Sequence, residues 1–171
     1  MKLTIAQKEN LENIYQTFLH DDRILKMKDI PMHRGSNCYE HAFKVAKKAV
    51  KNAIKLFKKN VDLVVVLIGA ILHDYYLYDW RKDRSKRKGH GKNHPKIASE
   101  NASRDFDIPK EIKEVIESHM WPFNFKKYPH SREAKLVSMA DNSVATVEAL
   151  TSIAYKKKRR QKYLDYISHL F

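Results

Sequence analysis

The feature that most constrains the fold is the stretch Val61–Trp80, VDLVVVLIGAILHDYYLYDW, a dense apolar run interrupted by His73-Asp74. A run this apolar has to be buried. An imidazole beside a carboxylate at its end is costly to remove from water unless something pairs with both, and a metal ion is the most effective partner. His73 and Asp74 are therefore expected to be adjacent ligands, with other helices bringing further His and Asp residues to the same point. Periodicity does not separate helix from strand inside a continuous apolar run, and Val64-Val65-Val66 would suit a strand. Length and position among helical segments favour a helix buried nearly all round, with Gly69 permitting close approach of a neighbour.

The flanking segments read as helices. Thr4 and Gln7 have capping-box spacing, and Leu11, Ile14, Tyr15, Phe18 and Leu19 then share one helical face. His20–Cys38, with Pro31 and Gly35, reads as a connection holding a short helix around Arg23–Lys28. A helix over Tyr39–Lys58 has Ala42, Val45, Ala46, Ala49, Val50, Ala53 and Phe57 as its apolar stripe, and His41 points to the same side. Arg81–Asn93, RKDRSKRKGHGKN, reads as a basic loop, after which Pro95 suits the first turn of a helix with Ile97, Ala98, Ala102 and Phe106 inside. Beyond Asp107 and Pro109, Ile112, Val115, Ile116 and His119 follow helical spacing, and Pro122 is expected to stop that helix. Ser131 is a plausible cap for a further helix, with Glu133 in its first turn and Val137, Ala140, Asp141 and Val144 on one face. A basic run Lys156–Arg160 and a short amphipathic end, Tyr163, Leu164, Ile167 and Leu170, form the tail at 156–171. The expected fold class is all-α: a helical bundle with a central buried helix.

At 171 residues, with no internal repeat and no Pro-, Gly- or Ser-rich linker, one domain over 1–171 is expected. The net charge of +14 favours polyanionic or phosphorylated partners and says nothing about fold. Cys38 is the single cysteine, which excludes an intrachain disulfide and a zinc site made only of thiolates. The N-terminal MKLTIAQKENLENIYQ lacks the apolar core of a signal peptide, and Val61–Leu72 falls short of the about 20 apolar residues a bilayer span needs, so a cytoplasmic location is the expectation and no membrane partner is expected.

His41, His73, Asp74, His119 and Asp141 all fall on faces that should be dry, and His94 stands at a helix start. Any one of them would fit a hydrogen-bonded core residue or an ion-pair partner for a lysine. Together, on separate helical elements, they point to a shared centre for one or two divalent ions. Imidazole with carboxylate suits Zn, Mn, Fe, Co or Ni, and Mg where oxygen ligands dominate.

The order of these residues resembles the HD domain superfamily of metal-dependent phosphohydrolases, whose signature is a His, a His-Asp doublet and a distant Asp on separate helices. The matching positions are His41, His73-Asp74 and Asp141, in the contexts Cys38-Tyr39-Glu40-His41, Leu72-His73-Asp74, His94-Pro95 and His119-Met120-Trp121-Pro122. The similarity runs over roughly 33–141. The resemblance implies that His41, His73, Asp74 and Asp141 hold one metal, with His94 and His119 placed to complete a second site bridged by Asp74. His119 is followed by Met120, and no Gly-Tyr-Pro motif is present, unlike the subgroup that cleaves cyclic di-nucleotides.

The implied activity is phosphomonoester or phosphodiester hydrolysis of a nucleotide or small phosphorylated metabolite through a metal-activated water, with His73 and Asp74 at its centre. Arg34 and the Arg81–Lys92 loop, with Arg81 and Lys92 at its ends, are the candidate phosphate-binding cations. Glu40 and Asp79 are candidate acceptors that orient the histidines. A second implied chemistry is that of a mixed-valent di-iron oxygenase. A third reading is a nucleic-acid binder using Arg81–Lys92, Lys156–Lys162 and stacking by Tyr75, Tyr76, Tyr78 and Trp80.

Overall fold

A computed structural model describes residues 3–32, 35–56 and 60–168, with the backbone alone at Arg84, Lys156 and 158–168. Arg34, Phe57, Lys58 and Leu170 lie outside the described residues, as do the side chains of Tyr163, Leu164 and Ile167. The described chain is helical, with no strand beyond an isolated bridge between Pro31 and Asn37. Its α-helices are α1 (Ile5–His20), α2 (Asp22–Leu25), α3 (Cys38–Leu56), α4 (Leu63–Leu72), α5 (Arg84–Arg87), α6 (His90–Phe106), α7 (Lys110–Ser118) and α8 (Arg132–Ser168), and a 3-10 turn over Lys26–Asp29 follows α2. No helix among the described residues is long and apolar enough to cross a membrane.

Local chemistry sets most helix ends. Thr4 and Gln7 exchange side-chain and backbone hydrogen bonds at the start of α1. Asp62 accepts from the N–H groups of Val64 and Val65 and so starts α4 inside its apolar run. Ser131 accepts from the N–H of Ala134 to open α8. Asp107 takes the left-handed conformation that closes α6.

α4 lies at the centre, packed against α3, α7 and α8 and touched by α1 and α6. Val66, Leu67, Ala70, Ile71 and Leu72 are buried there, so the valine run is a helix rather than a strand. Gly69 is where α7 comes closest: a Cβ at this position would lie 2.6 Å from Val115 Cγ1. Alanine favours a helix interior over glycine by up to about 1 kcal/mol. Val115 is fully buried and branched, however, and has no room to withdraw. Overpacking of this kind costs about 1–3 kcal/mol and decides the sign. Gly69→Ala is expected to lower the melting temperature, and Val115→Ala in the same chain to return part of the loss relative to Val115→Ala alone, as read from a double-mutant thermal series.

Two boundaries differ from the sequence expectation. α6 begins at His90, inside the expected basic loop, and Pro95 sits within the helix. Proline leaves the Gly91 carbonyl without its helical donor, but Gly91 is exposed and water can serve it. The tail is not a separate element: α8 runs unbroken for 37 residues through Lys156–Arg160. No Gly or Pro interrupts Arg132–Ser168, and Lys, Arg, Gln and Leu all favour helix.

Candidate metal centre

Five helical segments deliver the six candidate residues. His41 lies in the first turn of α3, His73 caps α4, Asp74 follows it, His94 is in α6, His119 caps α7 and Asp141 is in α8. All six are buried, Asp141 being the most accessible at 8%. The turn after α4 is pinned from two sides. Tyr75 N–H bonds the Leu72 carbonyl, and the Asn101 amide donates to the carbonyls of Tyr75 and Tyr76. Because α4 and α7 both end here, the negative ends of two helix dipoles meet the cluster and favour a cation.

The histidines are fixed in one tautomer. Nδ1 of His73 lies 2.7 Å from the Ala70 carbonyl, Nδ1 of His94 2.9 Å from that of His90, and Nδ1 of His119 2.7 Å from that of Ile116. A carbonyl only accepts, so each Nδ1 carries hydrogen. His41 Nδ1 donates to Glu148 Oε2 at 2.9 Å. In the neutral rings all four Nε2 atoms therefore present lone pairs, and these converge on the carboxylates. His41 Nε2 is 3.0 Å from Asp141 Oδ1, His73 Nε2 is 3.3 Å from Asp74 Oδ2, and His94 Nε2 is 3.2 Å from Asp74 Oδ1. His119 Nε2 is 3.7 Å from Asp74 Oδ1 and only 2.9 Å from His94 Nε2.

Atoms held this close need a proton or a metal cation between them, and without an ion His41 keeps a proton on Nε2 facing Asp141 Oδ1. His73 Nε2 and Asp74 Oδ1 are the two buried side-chain atoms that find no hydrogen-bond partner among the described residues. His73 Nε2 stands near Asp74 but outside hydrogen-bonding geometry. An unsatisfied buried polar pair costs several kcal/mol at the order-of-magnitude level, which a divalent ion would offset. Three donor groups close enough to hold an ion emerge: His41, His73 and Asp74; His73, His119 and Asp141; and Asp74, His94 and His119. The residues present thus fit one or two divalent ions, with Asp74 facing both sides.

The electrostatics agree with that fit. Burial works against charge on every member of the cluster. For Asp74 it is outweighed by His73 and His94, and for Asp141 by His41 and His73, which hold both carboxyls below their usual range. His41 is likewise desolvated, yet its bonds to Asp141 and Glu148 raise it to about 10. His73 is raised against its burial by Asp74 and Asp141. His119 goes the other way, to about 3, through burial and the neighbouring His73 and His94. The pocket keeps its negative charges and binds protons where an ion would bind.

The other expected residues fall elsewhere. Glu40 is exposed, and the Asp79 carboxylate accepts from Arg81 N–H and faces Lys82, so neither serves as the acceptor that orients a histidine. That acceptor is Glu148 for His41, and backbone carbonyls for the other three. Arg81 is exposed, 5.3 Å from the centre of the Trp80 ring, and Lys92 is exposed near the start of α6. Trp80 stacks on His90, and His90 on His94, with Tyr78 OH 2.9 Å from His90 Nδ1. Tyr75 and Tyr76 are core residues, bonded to Asp105 and Cys38, and are closed to bases. Glu148 was missed by the sequence reading; it lies two helical turns beyond Asp141 on the same face of α8, a spacing that could have singled it out. His90 was concealed by the expected loop.

Among the described residues, the helices gather four imidazoles and two carboxylates in one buried pocket whose donor atoms fit a divalent metal ion. The model of the HD domain family matches residues 38–146, and the chain belongs to that family. Its members are generally hydrolases and their domains bind divalent metals. No curated protein and no solved structure gives a significant match.

Proposed function

We propose that the protein is a phosphohydrolase, a phosphomonoesterase or phosphodiesterase, acting on a nucleotide or other small phosphorylated compound. His41, His73, Asp74 and Asp141 would hold one divalent ion, and Asp74, His94 and His119 a second. When bound, such ions supply Lewis acidity toward phosphoryl oxygens and lower the pKa of water. The observation that carries this reading is the convergence of four Nε2 atoms on two carboxylates, with His73 Nε2 and Asp74 Oδ1 unpartnered.

The chain's own residues have separable tasks. Backbone carbonyls and Glu148 hold each imidazole hydrogen on Nδ1 and aim Nε2 inward. Asp74 turns one oxygen to His73 and the other to His94 and His119, spanning both donor groups. Burial excludes bulk water and strengthens every charge interaction inside. Four imidazoles favour Mn, Fe, Co, Ni or Zn over Mg. Arg81 and Lys92, beside the His94 end, are candidates for phosphate contact. Arg34 remains a candidate on sequence grounds.

The six-residue set also serves a di-iron oxygenase, which keeps that second reading in play. Both are tested together. After chelation, each divalent ion is returned singly and nitrophenyl phosphate turnover is followed with metal content. Metal-restored hydrolysis supports the proposal. Iron retention with a mixed-valent paramagnetic resonance signal and no hydrolysis under any ion would overturn it.

A further inference from the structure

α8 carries two apolar faces. The inner one, with Ala134, Val137, Ala140 and Val144, is buried where the helix packs on α3, α4 and α7. The outer one is left open: Met139 is 58% exposed, and Leu150 and Ile153 are each 61% exposed. Beyond Glu148 every described side chain is exposed except Ser152, which is half-buried, while the backbone stays helical to Ser168. Helices in proteins owe most of their stability to the packing of an apolar face. In this half of α8 such a face is present, and the described residues do not cover it.

The spacing along that face has the form of a helix-pairing seam. Met139, Ser143, Thr146, Leu150, Ile153, Lys157, Arg160 and Leu164 follow one another at alternating steps of four and three residues. This is the seven-residue repeat by which two helices wind around each other. It holds for 26 residues, within the length of about three to four repeats at which such a seam is diagnostic. The series is also its own complement. Read outward from the midpoint between Leu150 and Ile153, it runs apolar, polar, polar, apolar in both directions. Turning a second copy end for end about that midpoint sets Leu150 against Ile153, Thr146 against Lys157, Ser143 against Arg160 and Met139 against Leu164. Apolar positions then meet apolar ones and polar meet polar, as a self-complementary two-fold interface requires. In a parallel alignment Lys157 would face Lys157 and Arg160 would face Arg160, and such like-charge juxtaposition selects against it.

We infer that the outer face of α8 is a self-association surface, on which a second copy of this chain docks its own α8 antiparallel. At 3.6 residues per turn the seam runs along the opposite side of α8 from Asp141 and Glu148. The pairing therefore leaves the metal centre's residues untouched, and it is independent of the hydrolase reading.

The test is sedimentation of the full chain over a range of concentrations. Leu150 and Ile153 are exposed, so Leu150→Lys and Ile153→Lys should fold, which the melting transition checks. A reversible dimer is expected. Either substitution enters the two-fold seam twice and should weaken the dimer at least about tenfold. Orientation is read by crosslinking, in which the buried Cys38 takes no part. A chain with Thr146→Cys, mixed with one carrying Lys157→Cys, should be joined by a short bis-maleimide. Thr146→Cys alone should not, because its two copies stand about 16 Å apart along the antiparallel pair at 1.5 Å per residue. A chain monomeric at every concentration, a dimer unmoved by both lysine substitutions, or crosslinking of T146C to itself overturns the inference. So does a monomer that binds phosphatidylglycerol vesicles and loses them in Leu150→Lys, which would give the same face, beside the basic run Lys156–Arg160, to an anionic membrane.

Discussion

Asp74→Asn is expected to lower phosphoester turnover by about three orders of magnitude, the scale of losing a metal ion's several kcal/mol of charge stabilisation. The substitution keeps shape and removes charge. One Asp74 oxygen faces His73 and the other faces His94 and His119, so a single carboxylate serves both donor groups. An amide nitrogen in either place would offer hydrogens where lone pairs have to meet an ion. Metal content by mass spectrometry should therefore fall for both ions. His94→Gln, which touches one donor group, should cost one equivalent and leave the other. Helical circular dichroism and the melting transition check that each variant is folded. Full turnover in Asp74→Asn would remove the metal centre from the mechanism.

The centre was readable because each of its residues broke a local rule. His41 and Asp141 interrupt helical stripes of Ala and Val, and His73-Asp74 closes a run too apolar to end in charge without a partner. Their meeting point, with ligand atoms within 4.8 Å of one another in each group, follows from α4 being central and its neighbours packing on it. Helix ends were less readable where a strong local signal was overridden. Pro95 has the look of a first-turn residue, yet α6 starts at His90, because an exposed Gly91 tolerates a carbonyl without its helical donor. The Lys156–Arg160 run looked like a tail, but charge does not end a helix that lacks Gly and Pro. The orienting acceptors were the least readable. Three are backbone carbonyls, which carry no side-chain signature. The fourth is Glu148, one acid among many until the pairing of α3 with α8 is known.

Glu148 supports the second large prediction. Glu148→Ala is expected to reduce both metal affinity and turnover by about 10- to 100-fold, the usual scale for removing the carboxylate behind a ligating histidine. The His41 ring is fully buried, and its Nδ1–H bond to Glu148 Oε2 at 2.9 Å fixes which nitrogen faces Asp141. Glutamine can accept the same hydrogen bond without the charge, so Glu148→Gln should recover part of the loss, which a purely structural role would not separate from alanine. The pH profile gives the sign. Before the ion binds, His41 opposes its own burial through bonds to Asp141 and Glu148 and keeps its proton up to about pH 10. An ion has to displace that proton, so affinity should strengthen as pH rises toward that value and weaken as it falls. In Glu148→Gln one of the two charges holding the proton is gone, and the rise in affinity should shift to lower pH. Calorimetry near pH 9, close to where His41 titrates, in buffers of different ionisation enthalpy counts the protons released on metal uptake. Fewer are expected from Glu148→Gln than from the wild type, and equal numbers would show that Glu148 does not set the basicity of His41.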